Sequence, residues 1–290
     1  MATKFLGEEM VPTLPSLLAD IWNGEFDEFR AASWAGYHSL ETFNTFKLAA
    51  FYLTSIFTIQ YFMKNRKPFQ LKNPLIVWNW FQAAFSLCAV IGTMSELRAV
   101  YDREGLNGIN CNTDFYAGTA GAWHFIFLLS KITDFVDTFF VVVRKKPLIF
   151  LHYYHHTVIM LVGFYGYSYL LPGRLITIVN GVVHTLMYSY YAICSMRIKI
   201  PGWVAKSITR LQIVQLLIGV ACGVHATVLW IFDSGCHIVS PFQGMLGWFG
   251  DFTLLTLFIH FYQTSYVFDG GKSKYRDEVP AEKKKVEKEE

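Results

Sequence analysis

The chain of 290 residues lacks the usual marks of a secreted or soluble protein. It contains no Asn-x-Ser/Thr sequon, so glycosylation gives no independent indication of membrane topology. Residues 1–45 show no apolar core after a basic start, and we expect a luminal N-terminal segment there instead of a cleaved signal peptide. Charged residues make up only 16% of the chain, whereas 53% are hydrophobic and 17% are aromatic, which excludes an ordinary soluble domain.

Long apolar runs account for most of the remaining sequence. A helix needs about 20 apolar residues to cross about 30 Å of hydrocarbon. Seven segments approach or exceed that length, namely residues 47–63, 75–96, 116–143, 147–169, 174–196, 207–231 and 243–267. We therefore predict an all-α, polytopic membrane protein whose seven transmembrane helices form a membrane domain over residues 46–268.

Lysine and arginine are distributed unevenly between the two sides of this predicted bundle. Of the 25 basic residues, 18 lie in the loops 64–74, 144–146 and 197–210 and in the tail after residue 267. Because cytosolic loops carry an excess of basic residues, the N-terminus is predicted to be luminal and the C-terminus cytosolic. Residues 269–290 are rich in Lys and Glu and poor in apolar residues, which predicts a disordered cytosolic tail.

The five cysteines divide according to this topology. Three fall within predicted spans, whereas Cys111 and Cys236 fall in two loops on the luminal side. An oxidising lumen would favour a disulfide between these two residues. The sequence does not give the distance that such a bond requires, so the pair is a disulfide candidate.

The segment Leu-His-Tyr-Tyr-His-His at residues 151–156 places three imidazoles inside an apolar run. His152, His155 and His156 share one helical face because they are spaced i, i+3 and i+4. Ionisable groups are costly at membrane depth and usually line a site or a pathway. The cluster therefore indicates chemistry in this helix.

Further polar residues concentrate in the cytosolic half and at the mid-plane of the predicted bundle. On the fifth span a stripe recurs at helical spacing, and its residues are Asn180, His184, Met187, Tyr188 and Tyr191. The other candidates are Lys131, Asp134 and Asp137 on the third span, Gln212 and Gln215 on the sixth, and His260 on the seventh. The luminal halves of the spans are nearly free of polar groups. This asymmetry predicts a chamber that opens to the cytosol and accepts an amphiphile.

These residues leave three classes of function open. A neutral imidazole, with an unperturbed pKa near 6.5, can attack a lipid thioester without a separate base. Membrane desaturases and hydroxylases also use His-x-x-His-His, but a diiron centre needs about eight ligands and the chain has no second histidine cluster. A receptor or transporter without chemistry is the third class. A Lys131–Asp134 ion pair and helix packing by the tyrosines remain structural explanations for those residues.

Four blocks of this sequence resemble the ELO family of very-long-chain fatty acid elongases. They are Lys131-x-x-Asp134-x-x-Asp137-Thr138, His152-x-x-His155-His156, Asn180-x-x-x-His184-x-x-Met187-Tyr188-x-Tyr190-Tyr191 and Thr209-x-x-Gln212-x-x-Gln215. The resemblance extends from the first span to the seventh. Asp134 stands where the family usually has Glu, so a contact made by the longer side chain would be lost or bridged by water here.

This resemblance implies an enzyme of the endoplasmic reticulum membrane, with seven helices that enclose an acyl-chain tunnel. It would condense long-chain acyl-CoA with malonyl-CoA to a 3-ketoacyl-CoA, CoA and carbon dioxide, without a cofactor or a metal. His155 would be the covalent nucleophile, His184 would activate malonyl-CoA, and His152 and His156 would complete the catalytic cluster. The motifs favour the branch of the family that elongates saturated and monounsaturated chains.

The resemblance also implies supporting residues and partners. The residues expected to orient the imidazoles and the thioester are Lys131, Asp137, Asn180, Tyr188 and Gln212, and the remaining candidates for substrate binding are Asp134, Met187, Tyr191, Gln215 and His260. The basic loops would receive the CoA phosphates. Besides the lipid bilayer, the expected partners are a 3-ketoacyl-CoA reductase, a 3-hydroxyacyl-CoA dehydratase and an enoyl-CoA reductase. A homo-oligomer is left open, and nothing indicates a nucleic acid.

Overall fold

The computed structural model describes residues 42–112, 118–168, 173–232, 236 and 241–268. Most of the predicted luminal segment and the predicted cytosolic tail lie outside these residues. The described chain contains eight helices, which are α1 (Thr42–Met63), α2 (Lys72–Cys111), α3 (Gly118–Thr133), α4 (Phe135–Val143), α5 (Phe150–Ser168), α6 (Arg174–Ser195), α7 (Gly202–Ile231) and α8 (Pro241–Tyr266). No strand occurs among the described residues, and the prediction of an all-α protein is confirmed for them.

Each predicted span corresponds to one helix except the third, which is divided into α3 and α4 at Asp134. The hydroxyls of Ser130 and Thr133 donate 2.7 Å hydrogen bonds to backbone carbonyls three residues earlier. Such bonds compete with the regular helical ladder and bend helices. The backbone N–H of Asp137 bonds to the carbonyl of Asp134 at 3.1 Å, which tightens the first turn of α4. The break thus has a local cause.

The second span is longer than the sequence predicts. Helix α2 continues to Cys111, well past the predicted end at residue 96, with a break at Gly105 (φ 63°, ψ −150°). Glycine adopts a positive φ at little cost because it has no Cβ. The residues after Gly105 therefore form a separate short helical segment, which bonds to Arg174 of α6 and His225 of α7.

Three of the described helices are long and apolar enough to cross a membrane. They are Lys72–Cys111, Gly202–Ile231 and the Gly244–Val267 part of the last helix. Their lengths of 40, 30 and 24 residues exceed the 20 or so that a bilayer requires. The protein is therefore a multi-pass membrane protein, and the count of seven spans stays a prediction.

Small residues allow α2 and α6 to pack closely along their lengths. A Cβ added at Gly181 of α6 would lie 2.6 Å from Val90 Cγ2 and 3.3 Å from the backbone oxygen of Ser86. Small residues at helix contacts are typical of membrane bundles, where close van der Waals packing drives association. Val158 of α5, Leu216 of α7 and Leu254 of α8 form a buried cluster that joins these three helices. These contacts hold α5 and α6, which carry the histidines.

The end of α2 is fastened to its neighbours by a disulfide and a buried arginine. Cys111 is bonded to Cys236, with the two sulfurs 2.00 Å apart, as the sequence suggested. Arg174 is only 1% exposed, donates to the backbone carbonyl of Gly108 at 2.7 Å and forms a 3.1 Å ion pair with Glu96. This cluster lies at the opposite end of α6 from Ser195 and closes the bundle there.

Candidate active site

A cavity of about 480 Å³ lies between six of the helices, and most of the predicted residues line it. The predicted residues on its wall are Asp137, His152, His155, His156, Asn180, His184, Met187, Tyr188, Tyr191, Gln212 and Gln215. Lining residues on α6 run from Asn180 to Ser195, which is roughly 22 Å along a helix. The cavity therefore extends from the middle of α6 to its end at Ser195, and Arg144, which directly follows α4, also lines it.

The three imidazoles of α5 lie against each other in this cavity. The ring centroids of His152 and His156 are 4.6 Å apart and those of His155 and His156 are 5.3 Å apart, in edge-to-face geometry. The ring of Phe258 lies edge-on to His155 at 5.9 Å. Among the described residues, no hydrogen bond engages a ring nitrogen of His155 or His156. Their nitrogens are therefore available to a molecule in the cavity.

The fourth imidazole comes from α6. His184 is buried, at 7% exposure, and its ring lies edge-on to Tyr188 with centroids 5.5 Å apart. No ring nitrogen of His184 forms a hydrogen bond within the described part of the chain. Helices α5 and α6 therefore both present imidazoles to one cavity, and imidazole is a group that can act in nucleophilic attack and in proton transfer.

Lys131 and Asp134 do not line the cavity but lie behind Asn180. The ammonium of Lys131 donates to Asn180 Oδ1 at 3.0 Å and is 3.8 Å from a carboxylate oxygen of Asp134. Gln82 Nε2 donates to the other carboxylate oxygen of Asp134 at 3.0 Å. The shorter side chain of Asp134 thus makes direct contacts, and the ion pair holds the amide of Asn180 from behind.

Asp137 lines the cavity and receives two strong hydrogen bonds. Trp78 Nε1 donates to one carboxylate oxygen at 2.6 Å, and the hydroxyl of Tyr188 donates to the other at 2.5 Å. Hydrogen bonds to ionised groups are shorter and stronger than neutral ones. This carboxylate therefore fixes Tyr188 one helical turn from His184.

The glutamines of α7 line the same cavity as the histidines of α5. Gln212 Nε2 lies 3.3 Å from the sulfur of Met187, which joins α7 to α6. The side-chain oxygen of Gln215 is buried and has no hydrogen-bond partner in the described residues. A buried polar atom without a partner is costly, so it offers an acceptor to a ligand.

His260 differs from the other predicted residues. It lies on an exposed part of α8 and is not among the residues that line the cavity. The sequence placed it in the inner half of the last span because depth along a helix can be counted from the sequence. Counting residues gives this depth but does not show whether the side chain faces the cavity.

Several residues of the site escaped the sequence analysis. Trp78 and Gln82 of α2 and Tyr52 of α1 bond to the candidate residues directly or through Thr138. A signal for α2 was present, because Asn79, Gln82 and Ser86 follow i, i+3, i+7 spacing within an apolar span. Those three residues are all buried. No comparable polar stripe marks Tyr52.

Comparison with known protein families assigns the chain to one of them. Residues 39–274 match the family model described as ELO, the GNS1/SUR4 family. The chain belongs to the ELO family.

Within the described residues, no group of three or more His, Cys, Asp or Glu side chains is arranged to hold a metal ion, so the donor set of a diiron centre is not assembled there.

Relatives of this ELO protein span most of its length. It is 40% identical to Long chain fatty acid elongase 1 of Caenorhabditis elegans, over 82% of this chain and 83% of that one. It is 34% identical to Very long chain fatty acid elongase 6 of Drosophila melanogaster, over 80% of this chain and 74% of the relative. It is also 34% identical to Very long chain fatty acid elongase 3 of Homo sapiens, over 81% and 87% of the two chains.

Proposed function

We propose that this ELO protein is a fatty acid elongase that condenses a long-chain acyl-CoA with malonyl-CoA, as a 3-oxoacyl-CoA synthase. The observation that carries the proposal is the convergence of imidazoles from α5 and α6 on one cavity, in a chain related to named fatty acid elongases. The wall of the cavity also includes apolar side chains such as Leu216 and Phe258. That composition suits an acyl chain with a reactive thioester near the histidines.

In the first half-reaction, neutral His155 attacks the thioester carbonyl of the acyl-CoA. A bond forms between the ring nitrogen and the carbonyl carbon, the carbon–sulfur bond breaks, and the thiolate of CoA takes the proton that the imidazolium releases. The product is an acyl-imidazole and free CoA. Because an acyl-imidazole hydrolyses readily, burial of the site protects it from water.

In the second half-reaction, malonyl-CoA loses carbon dioxide and leaves an enolate. The enolate carbon attacks the acyl-imidazole, forms the new carbon–carbon bond and breaks the bond between the acyl carbon and His155. The released imidazole ring takes up one proton from the solvent, so that one proton is consumed in the whole condensation. In this proposal His184 donates to the enolate oxygen; its ring lies edge-on to Tyr188, whose hydroxyl bonds to Asp137. Asn180, held by Lys131, and Gln215 provide further polar groups that orient the thioesters.

The surroundings of the cavity suggest an orientation in the membrane. We propose seven spans, formed by α1, α2, the pair α3 and α4, α5, α6, α7 and α8, with a luminal N-terminus and a cytosolic C-terminus. Arg144 lies at the cavity end that this topology places in the cytosol, where it would meet the CoA phosphates. The disulfide would then lie in the lumen, as expected for the endoplasmic reticulum.

Two further parts of the proposal concern substrates and partners. The motif sequences favour saturated and monounsaturated acyl chains over polyunsaturated ones. The 3-ketoacyl-CoA product would pass to a reductase, a dehydratase and a second reductase in the same membrane. The preference for saturated and monounsaturated chains is tested by an elongation assay in reconstituted membranes, with a panel of acyl-CoAs and radiolabelled malonyl-CoA.

The central test separates the half-reactions. His155→Ala should abolish condensation while the purified protein keeps its elution volume and helical content. Mass spectrometry after incubation of the unmodified enzyme with acyl-CoA alone should detect an acyl adduct on His155. An acyl adduct on a cysteine, or no adduct under conditions that trap acyl-imidazoles, would contradict the assignment of the nucleophile.

A further inference from the structure

Side chains from three helices form a hydrogen-bonded chain behind the cavity. Tyr52 Oη of α1 lies 2.8 Å from Thr138 Oγ1 of α4, and that oxygen lies 2.9 Å from Nε2 of His152 on α5. Thr138 is fully buried and Tyr52 is 2% exposed, so water does not replace these bonds. Within the described residues, neither hydroxyl has another hydrogen-bond partner.

Packing holds the first member of this chain in place. The ring of Tyr52 stacks on Phe135, with centroids 3.9 Å apart and the planes inclined by 16°. It belongs to a buried cluster with Ile56 and Val142, which joins α1 to α4. The position of the Tyr52 hydroxyl is therefore set by the core and not by the contents of the cavity.

The direction of the bonds follows from the number of protons. The hydroxyl of Thr138 has one proton and donates to only one of its two neighbours. If Tyr52 donates to Thr138 and Thr138 donates to His152, each hydroxyl proton in the chain has an acceptor. In the opposite direction, the buried O–H of Tyr52 would have no acceptor in the described part of the chain, which is unfavourable. The chain therefore selects the His152 tautomer with its proton on Nδ1.

We propose that Tyr52 and Thr138 are positioning residues that hold His152 as a hydrogen-bond donor to the thioester carbonyl oxygen of the substrate. His152 lines the cavity, and only its Nε2 is engaged among the described hydrogen bonds. The carbonyl oxygen gains negative charge when a neighbouring imidazole adds to the carbonyl carbon, and an oriented N–H stabilises that charge.

This inference divides the roles of the histidines. The unprotonated nitrogen of His152 already accepts a hydrogen bond from Thr138, so His152 is a poor nucleophile. The ring nitrogens of His155, His156 and His184 make no such bond in the described structure. The identity of the hydrogen-bond acceptor as a thioester carbonyl rests on the proposed condensation. The assignment of the His152 tautomer does not depend on that proposal.

Three variants and a matched control test the chain. Tyr52→Phe should lower kcat roughly threefold to tenfold, as for the loss of one hydrogen bond, with KM for acyl-CoA unchanged. Thr138→Val, which keeps the side-chain shape and breaks both bonds, should lower kcat further. Thr138→Ser, which keeps the hydroxyl, should stay within about twofold of the unmodified enzyme because both bonds remain.

The control is Tyr154→Phe. Tyr154 of α5 also donates to a threonine hydroxyl on another helix, Thr253, at 2.9 Å. No hydrogen bond among the described residues connects Tyr154 to the side chain of His152. Its kcat should stay within about twofold, since the lost bond lies outside the chain. A loss equal to that of Tyr52→Phe, or no loss in Tyr52→Phe and Thr138→Val, would overturn the proposal.

The tautomer is measured directly on the ligand-free protein. With ¹⁵N-labelled histidine, the His152 resonances, assigned with His152→Gln, should show an unprotonated Nε2 and a protonated Nδ1. Thr138→Val should populate both tautomers, and Thr138→Ser should restore the original one. A protonated Nε2 in the unmodified protein would overturn the inference. The tautomer could be as expected while the unmodified enzyme neither forms the acyl-histidine nor condenses acyl-CoA with malonyl-CoA. In that case the proposed function is wrong, and so is the assignment of the thioester carbonyl as the acceptor.

Discussion

Trp78 provides a sensitive test of the carboxylate that supports the cavity. Trp78→Phe keeps an aromatic ring at this position of α2 and removes the N–H that donates to Asp137 at 2.6 Å, together with part of the indole ring system. A hydrogen bond to a charged group contributes about 1.5–3 kcal/mol. If Asp137 loses this donor, its carboxylate is free to turn and the hydroxyl of Tyr188 is no longer held at 2.5 Å.

The size of the effect follows from that energy. Because about 1.4 kcal/mol corresponds to a tenfold change in rate, condensation should fall roughly tenfold to a hundredfold. The assay is incorporation of radiolabelled malonyl-CoA by reconstituted protein, normalised to the amount that elutes as a single species in gel filtration. The substitution should slow the chemical step, so kcat should fall by a larger factor than KM rises.

Trp80→Phe is the matched control for this experiment. Trp80 lies two residues away on the same helix, is 44% exposed and forms no hydrogen bond in the described structure. Its substitution should change activity by less than about twofold, in line with exposed positions away from a site. Equal losses in both variants would refute the reasoning, as would unchanged activity in Trp78→Phe.

The remaining predictions concern catalysis, packing and covalent stability. His184→Ala should still form the acyl-enzyme from acyl-CoA but fail to transfer the acyl group to malonyl-CoA; an equal loss of both half-reactions would show that the roles are divided wrongly. Gly181→Ala should destabilise the protein by about 1–3 kcal/mol, because its Cβ would lie 2.6 Å from a side-chain carbon of α2. Gly247→Ala, where the added Cβ meets nothing within 4 Å, should leave the melting temperature unchanged or raise it. Cys111→Ser should cost about 2–5 kcal/mol of stability, since the bond to Cys236 spans 125 residues, and a melting temperature equal to that of the unmodified protein would contradict a structural role.

The helices and most of the polar side chains of the cavity wall were predictable from local patterns. His155 and His156 on α5, and Asn180, His184 and Tyr188 on α6, share a face because helical spacing dictates it. The structure places all five on one cavity. Apolar run length likewise indicated a membrane protein, because the thickness of the bilayer sets the length of each span.

Local patterns failed where the backbone departs from a regular helix. The third span was predicted as continuous over residues 116–143, but it breaks at Asp134 where two hydroxyls bond to the backbone. The break determines where Asp137 and Thr138 point. Competition between a side-chain hydroxyl and the helical ladder depends on rotamers, which residue type alone does not specify.

Residue type and spacing were sufficient to identify the family, the helices and the faces that carry the imidazoles, because these properties repeat over a few neighbouring residues. The partners of those imidazoles and carboxylates required the folded chain. Tyr52 and Thr138 are 86 residues apart, and Trp78 and Asp137 are 59 apart. Only helix packing brings such residues within 3 Å of each other. That packing also turns His260 away from the cavity and gives Asp134 a direct contact with Gln82.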